Sequence, residues 1–344
     1  MAINVLVVDD SAVMRLLVSD ILQHSGSIKV VDTASNGKEA VKKTLELNPD
    51  VVVMDMIMGQ YDGLYGVTQI MKQKPTPVLL LSSLGNTDLS PILQALNAGA
   101  FDYINKPSKN NTKIRDIEQK LIRKVILASK ADLSKLGHTQ IRANTHLHTF
   151  SDNLPYDSVV IGSSTGGPSA IETVIAKLPG NLAIPVLIAQ HMPENFVPSF
   201  VQRLNKISPL EVVMGKRDMK VTPGLVIIAP GNKNMIVRKN VMGDVVISFI
   251  NKHFKEFNNP SINALMDSVA NVYGKKTIGV ILTGMGKDGT NGVKKIKNIG
   301  GFTIAQDEKT SVVFGMPKEA IKSGKIDSII PIQEVGNFVV SCLS

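Results

Sequence analysis

The sequence predicts an α/β protein made of two doubly wound parallel sheets, and three observations carry that reading. Short apolar runs alternate with helix-period segments from residue 3 to residue 104, and again from residue 158 to residue 341. Several of those runs are continuous in Val, Ile and Leu, as expected of strands buried on both faces beneath crossover helices. A polar stretch with neither pattern, residues 137–153, separates the two series. At 344 residues the chain is long enough for two separate cores.

In the first series, Ile3–Val8, Lys29–Asp32, Val51–Met54, Val78–Leu81 and Phe101–Ile104 read as strands, with helices near 11–24, 37–47, 63–73 and 88–98. Five strands alternating with helices predict a flavodoxin-like domain over residues 1–108. The segment Thr112–Leu136 places Ile114, Ile117, Leu121, Val125 and Ala128 at spacings of three and four. That is one amphipathic helix, packing on the first domain and leading out of it. Residues 109–153 are thus read as helix and linker. His138, His146 and His148 fall in this region without carboxylate or thiolate company, which argues for solvated side chains rather than a metal site.

The second series defines a Rossmann-like domain over residues 154–344. Strands are expected at 158–161, 184–189, 225–229, 277–282 and 302–305, with helices near 168–177, 194–205, 261–272, 288–298 and 332–341. Met235–Arg238 and Val245–Ile250, joined through a Gly-Asp turn, read as an inserted β-hairpin.

Composition narrows the function classes. Hydrophobic residues make up 43% of the chain, which suits a packed globule. No apolar run approaches the ~20 residues that cross a bilayer, so membrane insertion is not expected. Cys342 is the only cysteine, which excludes an intrachain disulfide and points to a reducing cytoplasmic compartment. The net charge of +9 is uneven. Residues 1–108 carry 8 basic and 11 acidic side chains, whereas residues 154–344 carry 21 and 14. The basic half lacks tryptophan and any nucleic-acid-binding motif, so an acidic protein surface suits it as a partner.

Chemistry is expected at two strand rims. In a doubly wound sheet, ligands gather at the carboxyl ends of the strands. The first strand ends in Asp9-Asp10, the third in Asp55, the fourth in Ser82 and the fifth in Lys106-Pro107. Three carboxylates meeting there call for a cation, and an oxygen-only ligand set suits Mg²⁺. With a hydroxyl and an ammonium at the same rim, the set describes a phosphate-accepting pocket. Asp55 is its expected nucleophile, Asp9, Asp10 and Asp55 its metal ligands, and Ser82 and Lys106 its phosphate-binding groups.

In the second domain the run Ser158–Ile161 stops in Gly162-Ser163-Ser164-Thr165-Gly166-Gly167, after which Pro168 opens a helix. Gly-x-Ser-x-Gly after a strand lifts a serine out of the sheet and lets a carbonyl approach main-chain N–H groups. A phosphate-cradling loop has much the same composition. A serine nucleophile needs a base and an orienting acid. Outside the linker and the front domain the histidines are His191, ending a strand, and His253, in a polar stretch. Asp288 and Asp307 both follow strands and could supply the acid. The loop Thr283–Gly289 also offers main-chain donors to an oxyanion, Met285 N–H among them. Lys287 is followed by aspartate, so the loop is not a Walker A sequence.

These motifs resemble two known families. Residues 1–108 look like a response-regulator receiver domain, matching it at Asp9-Asp10, Asp55, Ser82 and Lys106-Pro107, with Tyr103 at its switch-aromatic position. Gly59 stands where that family often has proline. From residue 154 onward the chain is similar to the catalytic domain of the chemotaxis protein-glutamate methylesterases (CheB-type). The matching segments are Ile161–Gly167, Ala189–Pro193, Leu282–Gly289, Ala305–Glu308 and Gly315–Pro317. It departs at Asn259-Pro-Ser-Ile-Asn263, where the family usually reads Arg-Pro-Ser-Val-Asp.

The resemblance implies Ser164 as nucleophile, His191 as base, Asp288 as orienting acid and Met285 as oxyanion donor. It implies hydrolysis of glutamate γ-methyl esters on chemoreceptors, with glutamine deamidation in some members. It also implies a chemotaxis histidine kinase as phosphodonor, Mg²⁺ at the receiver site and no cofactor for the esterase step. The contrasting expectation is a receiver controlling a non-catalytic module that binds nucleotide at Gly162–Gly167, or DNA.

Overall fold

A computed structural model describes residues 2–82, 90–106, 114–135, 148–151, 153–251 and 259–343, the side chains of 114–117 and 135 excepted. His138, His146, His253 and Pro107 lie outside the described residues. The chain divides into two compact units, Met1–His138 and Thr139–Ser344. No helix among the described residues is long and apolar enough to cross a membrane.

The first unit runs β1 (Ile3–Val8), α1 (Ala12–Gln23), β2 (Ile28–Ala34), α2 (Gly37–Leu47) and β3 (Val51–Asp55). It continues through α3 (Gly63–Gln73), β4 (Val78–Ser82), α4 (Ser90–Asn97), β5 (Asp102–Asn105) and α5 (Ile114–Ala128). The sheet is parallel in the order β2-β1-β3-β4-β5, the flavodoxin-like winding. Every residue of β3 and β4 is buried, because helices cover both faces of these central strands. Strand order reverses direction between β1 and β3, so the rim where those two strands end is the switch point.

The segment expected as one amphipathic helix over 112–136 is interrupted: among its described residues the α-helix Ile114–Ala128 ends before a separate 3₁₀ turn at Leu133–Lys135. Leu121, Val125 and Ala128 are buried on the first unit. Beyond them the apolar spacing lapses at Ser129-Lys130-Ala131-Asp132, and with no buried face to pay for ordering, the helix stops.

The second unit runs β6 (Ser158–Ser163), α6 (Gly167–Ile175), β7 (Val186–Gln190), α7 (Val197–Ile207), β8 (Glu211–Met214) and β9 (Leu225–Ile228). The hairpin β10 (Asn234–Lys239) and β11 (Val245–Ile250) comes next, forming its own two-stranded sheet. Then follow α8 (Ile262–Tyr273), β12 (Thr277–Ile281), α9 (Thr290–Asn298) and β13 (Phe302–Gln306). The chain closes with α10 (Met316–Lys322), β14 (Ser328–Ile330) and α11 (Ile332–Ser341).

Its seven-stranded sheet is ordered β14-β13-β12-β6-β7-β9-β8, all parallel. β6 lies at the centre, and the chain winds outward from it first through β7, then through β12. One face buries Val160, Leu187 and Ile227 of the sheet against Leu265, Met266 and Val269 of α8 and Val293 and Ile296 of α9. Met235, Val237 and Ile247 of the hairpin join the same core.

Two short edge strands, β8 and β14, and the seven-residue α10 were not legible from periodicity. Edge strands of three or four residues give too few alternations to stand out, and fewer than two helical turns show no period.

Candidate active site

The acidic residues of the first unit meet at its switch point. One oxygen from each of Asp9, Asp10 and Asp55 lies within 4.8 Å of the others. Lys106 Nζ, just past β5, is 2.7 Å from Asp9 Oδ2 and 2.7 Å from Asp55 Oδ2. Burial raises the Asp55 carboxyl above its ordinary pKa; Lys106 works against that, while the Asp9 charge adds to it. Ser82 Oγ, at the end of β4, is buried with no hydrogen-bond partner among the described residues.

One ammonium cannot neutralise three clustered carboxylates, so the donor set fits a hard divalent cation of the Mg²⁺ kind. A buried hydroxyl without a partner likewise suits an oxygen that arrives with a ligand. Tyr103 is buried in β5. Gly59 has a φ of +62°, which the ring of proline forbids, so the loop after β3 follows a path that the family's usual proline could not take.

In the second unit, parallel register aligns the residues that leave the strands. Ser163 of β6 and Gln190 of β7 are register partners, and His191 N–H donates to the Ser163 carbonyl at 3.0 Å. Ser164 and His191 therefore emerge side by side. On the other flank of β6, Ile281 of β12 pairs with Gly162, and Ser164 N–H donates to the Thr283 carbonyl at 3.0 Å. The loop 283–289 is thereby held against the serine. Gly284 makes the approach possible, since a Cβ there would sit 2.7 Å from the Ser164 Cβ. Gly166, with φ +74°, turns the chain from the strand into α6.

His191 Nε2 lies 2.9 Å from Asp288 Oδ2. Asp288 is 1% exposed, and its carboxylate also accepts N–H donors from Ile262 (2.8 Å), Asn263 (3.0 Å) and Gly289 (2.9 Å). Ile262 and Asn263 open α8, so the acid is seated at the positive end of a helix. Burial alone would raise its pKa. The bond and charge of His191 and the α8 amides outweigh that, leaving the carboxyl below its ordinary value. Asp307, the other acid considered, instead accepts from Thr310 N–H at 3.0 Å and closes a turn.

The Ser164 hydroxyl has no hydrogen-bond partner among the described residues, and the same holds for Met285 N–H. Both groups are thus available to a ligand. His148, the one linker histidine described, exchanges two main-chain hydrogen bonds with the Asn181 side chain. Asn263, where the resembling family usually has aspartate, accepts from Gly292 N–H at 2.9 Å and so ties α8 to α9.

Sequence reasoning gave no role to Gln190, Thr283 or Gln306. Thr283 Oγ1 donates to the Thr165 carbonyl at 3.0 Å and accepts from Val313 N–H, while Thr283 N–H donates to Gln306 Oε1 at 2.7 Å. A signal was present: β7 and β13 both end in Ile-Ala-Gln, an apolar run closed by an amide.

The layout is that of a response regulator joined to a hydrolase. Residues 159–339, more than half of the chain, match the CheB methylesterase family, and residues 5–118 match the response regulator receiver domain. A protein-glutamate methylesterase/protein-glutamine glutaminase of Archaeoglobus fulgidus is 42% identical over 99% of this chain and 98% of its own. A protein of the same description from Thermotoga maritima is 39% identical over 97% of this chain and 96% of its own. The crystal structure of the Thermotoga maritima CheB methylesterase catalytic domain superposes with a TM-score of 0.53 at 39% identity, covering 55% of this chain and 99% of that one. The chain belongs to the CheB methylesterase family.

Proposed function

We propose that this protein is a cytoplasmic, phosphorylation-regulated serine esterase that hydrolyses glutamate γ-methyl esters on chemoreceptors, and that it also deamidates glutamine side chains there. The observation that carries the reading is the His191–Asp288 hydrogen bond beside a serine held at the level of His191 by strand register.

A carboxylate only accepts, so Asp288 fixes the imidazole proton on Nε2 and leaves the lone pair of Nδ1 to receive the serine proton. Ser164 Oγ then attacks the ester carbonyl as His191 takes its proton. Met285 N–H is free to bind the oxyanion, a donor whose loss typically costs about 10²–10³ in rate. His191 returns the proton to the leaving methanol, and water repeats the sequence to release the glutamate. The glutaminase step differs only in expelling ammonia. The resting enzyme does not need a formed serine–histidine bond, which often tightens only with substrate bound.

Control belongs to the first unit. Asp55 is proposed to accept a phosphoryl group from a chemotaxis histidine kinase, with Asp9, Asp10 and Asp55 as the residues that would hold Mg²⁺. Lys106 and Ser82 would meet the phosphoryl oxygens. When bound, the metal supplies charge neutralisation for phosphoryl transfer.

The test is methanol release from methylated receptor by wild type and Ser164→Ala, each with and without a small phosphodonor. Release that depends on Ser164 and increases with phosphodonor is expected. Ser164→Ala at the wild-type rate would end the esterase reading, and indifference to phosphodonor would end the regulatory one.

A further inference from the structure

Gln190 is the last residue of β7 and is 3% exposed, and its side-chain amide is spent entirely on the two catalytic segments. Nε2 donates to the Ser164 carbonyl at 2.9 Å and to the His191 carbonyl at 3.0 Å. Oε1 accepts the Ser163 hydroxyl at 2.5 Å. The amide has only one workable orientation. Turned over, it would set its oxygen against two carbonyl oxygens and leave the His191 carbonyl without its donor.

We propose that Gln190 is a positioning residue, a buried cross-link that sets the separation between the Ser164 nucleophile and the His191 base. The inference rests on the serine-esterase reading. Main-chain bonds already align the two strands as far as Ser163 and Gln190, but Ser164 lies past the end of the ladder, in a turn that needs a left-handed glycine at Gly166. There the Ser164 carbonyl is held by Gly167 N–H, from within the same turn, and by Gln190 Nε2, from the neighbouring strand. Among the described residues, Gln190 is the only side chain that bonds the main chain of both Ser164 and His191. Gly167 belongs to the same device. A side chain there would strike the Gln190 amide oxygen and the Ser163 side chain. A displacement of about 1 Å between reacting groups costs about 10²-fold in rate.

The test uses the full-length protein and reads the rate at which an alkyl fluorophosphonate labels Ser164, a reaction that reports serine–histidine geometry whatever the natural substrate is. Gln190→Met keeps the length and apolar bulk but none of the bonds, and labelling should slow about 10–100-fold. Methanol release should fall by a similar factor in kcat, with KM unchanged. Ser163→Ala removes only the Oε1 anchor and should slow labelling a few-fold. Gln190→Glu is expected to be as slow as Gln190→Met at neutral pH and to close on wild type as acid protonates its carboxyl and restores one donor. A role in packing alone would not produce that pH response.

Thermal unfolding of each variant separates misfolding from misplacement, and Ser163→Ala keeps the question open to test if Gln190→Met does not fold. Labelling at the wild-type rate in Gln190→Met or Gln190→Glu would overturn the proposal. So would a wild type that does not label at Ser164. Labelling that behaves as expected without any methanol release would sustain the role of Gln190 and reject the ester substrate.

Discussion

Asp55 and Asp288 are both buried carboxylates at the carboxyl rim of a parallel sheet, yet their surroundings push them in opposite directions. Asp55 shares one ammonium with Asp9, and its pKa lies above the ordinary carboxyl value because burial prevails. Asp288 has no carboxylate in its hydrogen-bond shell among the described residues, takes three main-chain N–H donors and an imidazole, and lies below the ordinary value. One fold class therefore supplies two kinds of site. The first is electrostatically incomplete and suited to binding a cation and a phosphoryl group, while the second is complete and suited to holding a base in one orientation. The difference comes from helix placement, since the start of α8 is aimed at Asp288, whereas Asp9 and Asp55 share the ammonium of Lys106.

The largest expected effect breaks the complete site. Asp288→Asn should lower kcat about 10³–10⁴-fold, because an amide does not hold the imidazole proton on Nε2 as a carboxylate does. Phosphorylation of Asp55 should continue, measured by phosphodonor consumption. Equal loss of both activities would mean that the two sites are not independently built.

Next, the incomplete site should be completed by metal. Mg²⁺ at about 100 times its Kd should stabilise the first unit by about 2.7 kcal/mol. Calorimetry should show its unfolding transition move upward with Mg²⁺ in wild type and much less in Asp10→Asn. An identical shift in both would remove the carboxylates from the binding site.

A smaller effect follows from pH. The Asp288 carboxyl has a lowered pKa in the folded state, so its contribution is fully present above the unfolded carboxyl value, about 4, and is lost as pH falls through the folded one. Urea unfolding of the second unit should therefore weaken in acid, and Asp288→Asn should flatten that slope. The hairpin tip provides the control. Val241 and Met242 are fully or largely exposed and touch neither core, so Met242→Ser should change stability by less than about 0.5 kcal/mol.

Much of this architecture was legible in the chain itself. Continuous runs such as Val51–Met54 and Ser158–Ile161 announce buried parallel strands because no exposed face forces a polar alternation. Ser164, His191 and Asp55 stand out because they close such runs, and closing a run fixes a residue's height in the sheet. Asp288 and Asp307 were indistinguishable on that criterion. Only the folded chain shows Asp307 closing its own turn and Asp288 reaching both His191 and α8.

The sequence by itself determined the two windings and the strand ends at which chemistry could occur, because burial periodicity and chain order are local properties. Only the tertiary structure shows the bond from His191 to Asp288, the helix start 26 residues earlier that donates to the same acid, and Gln190 donating to the carbonyls of both Ser164 and His191. Those are contacts between segments distant in sequence, where the geometry of a hydrogen bond depends on the packing of whole helices and leaves no periodic trace along the chain.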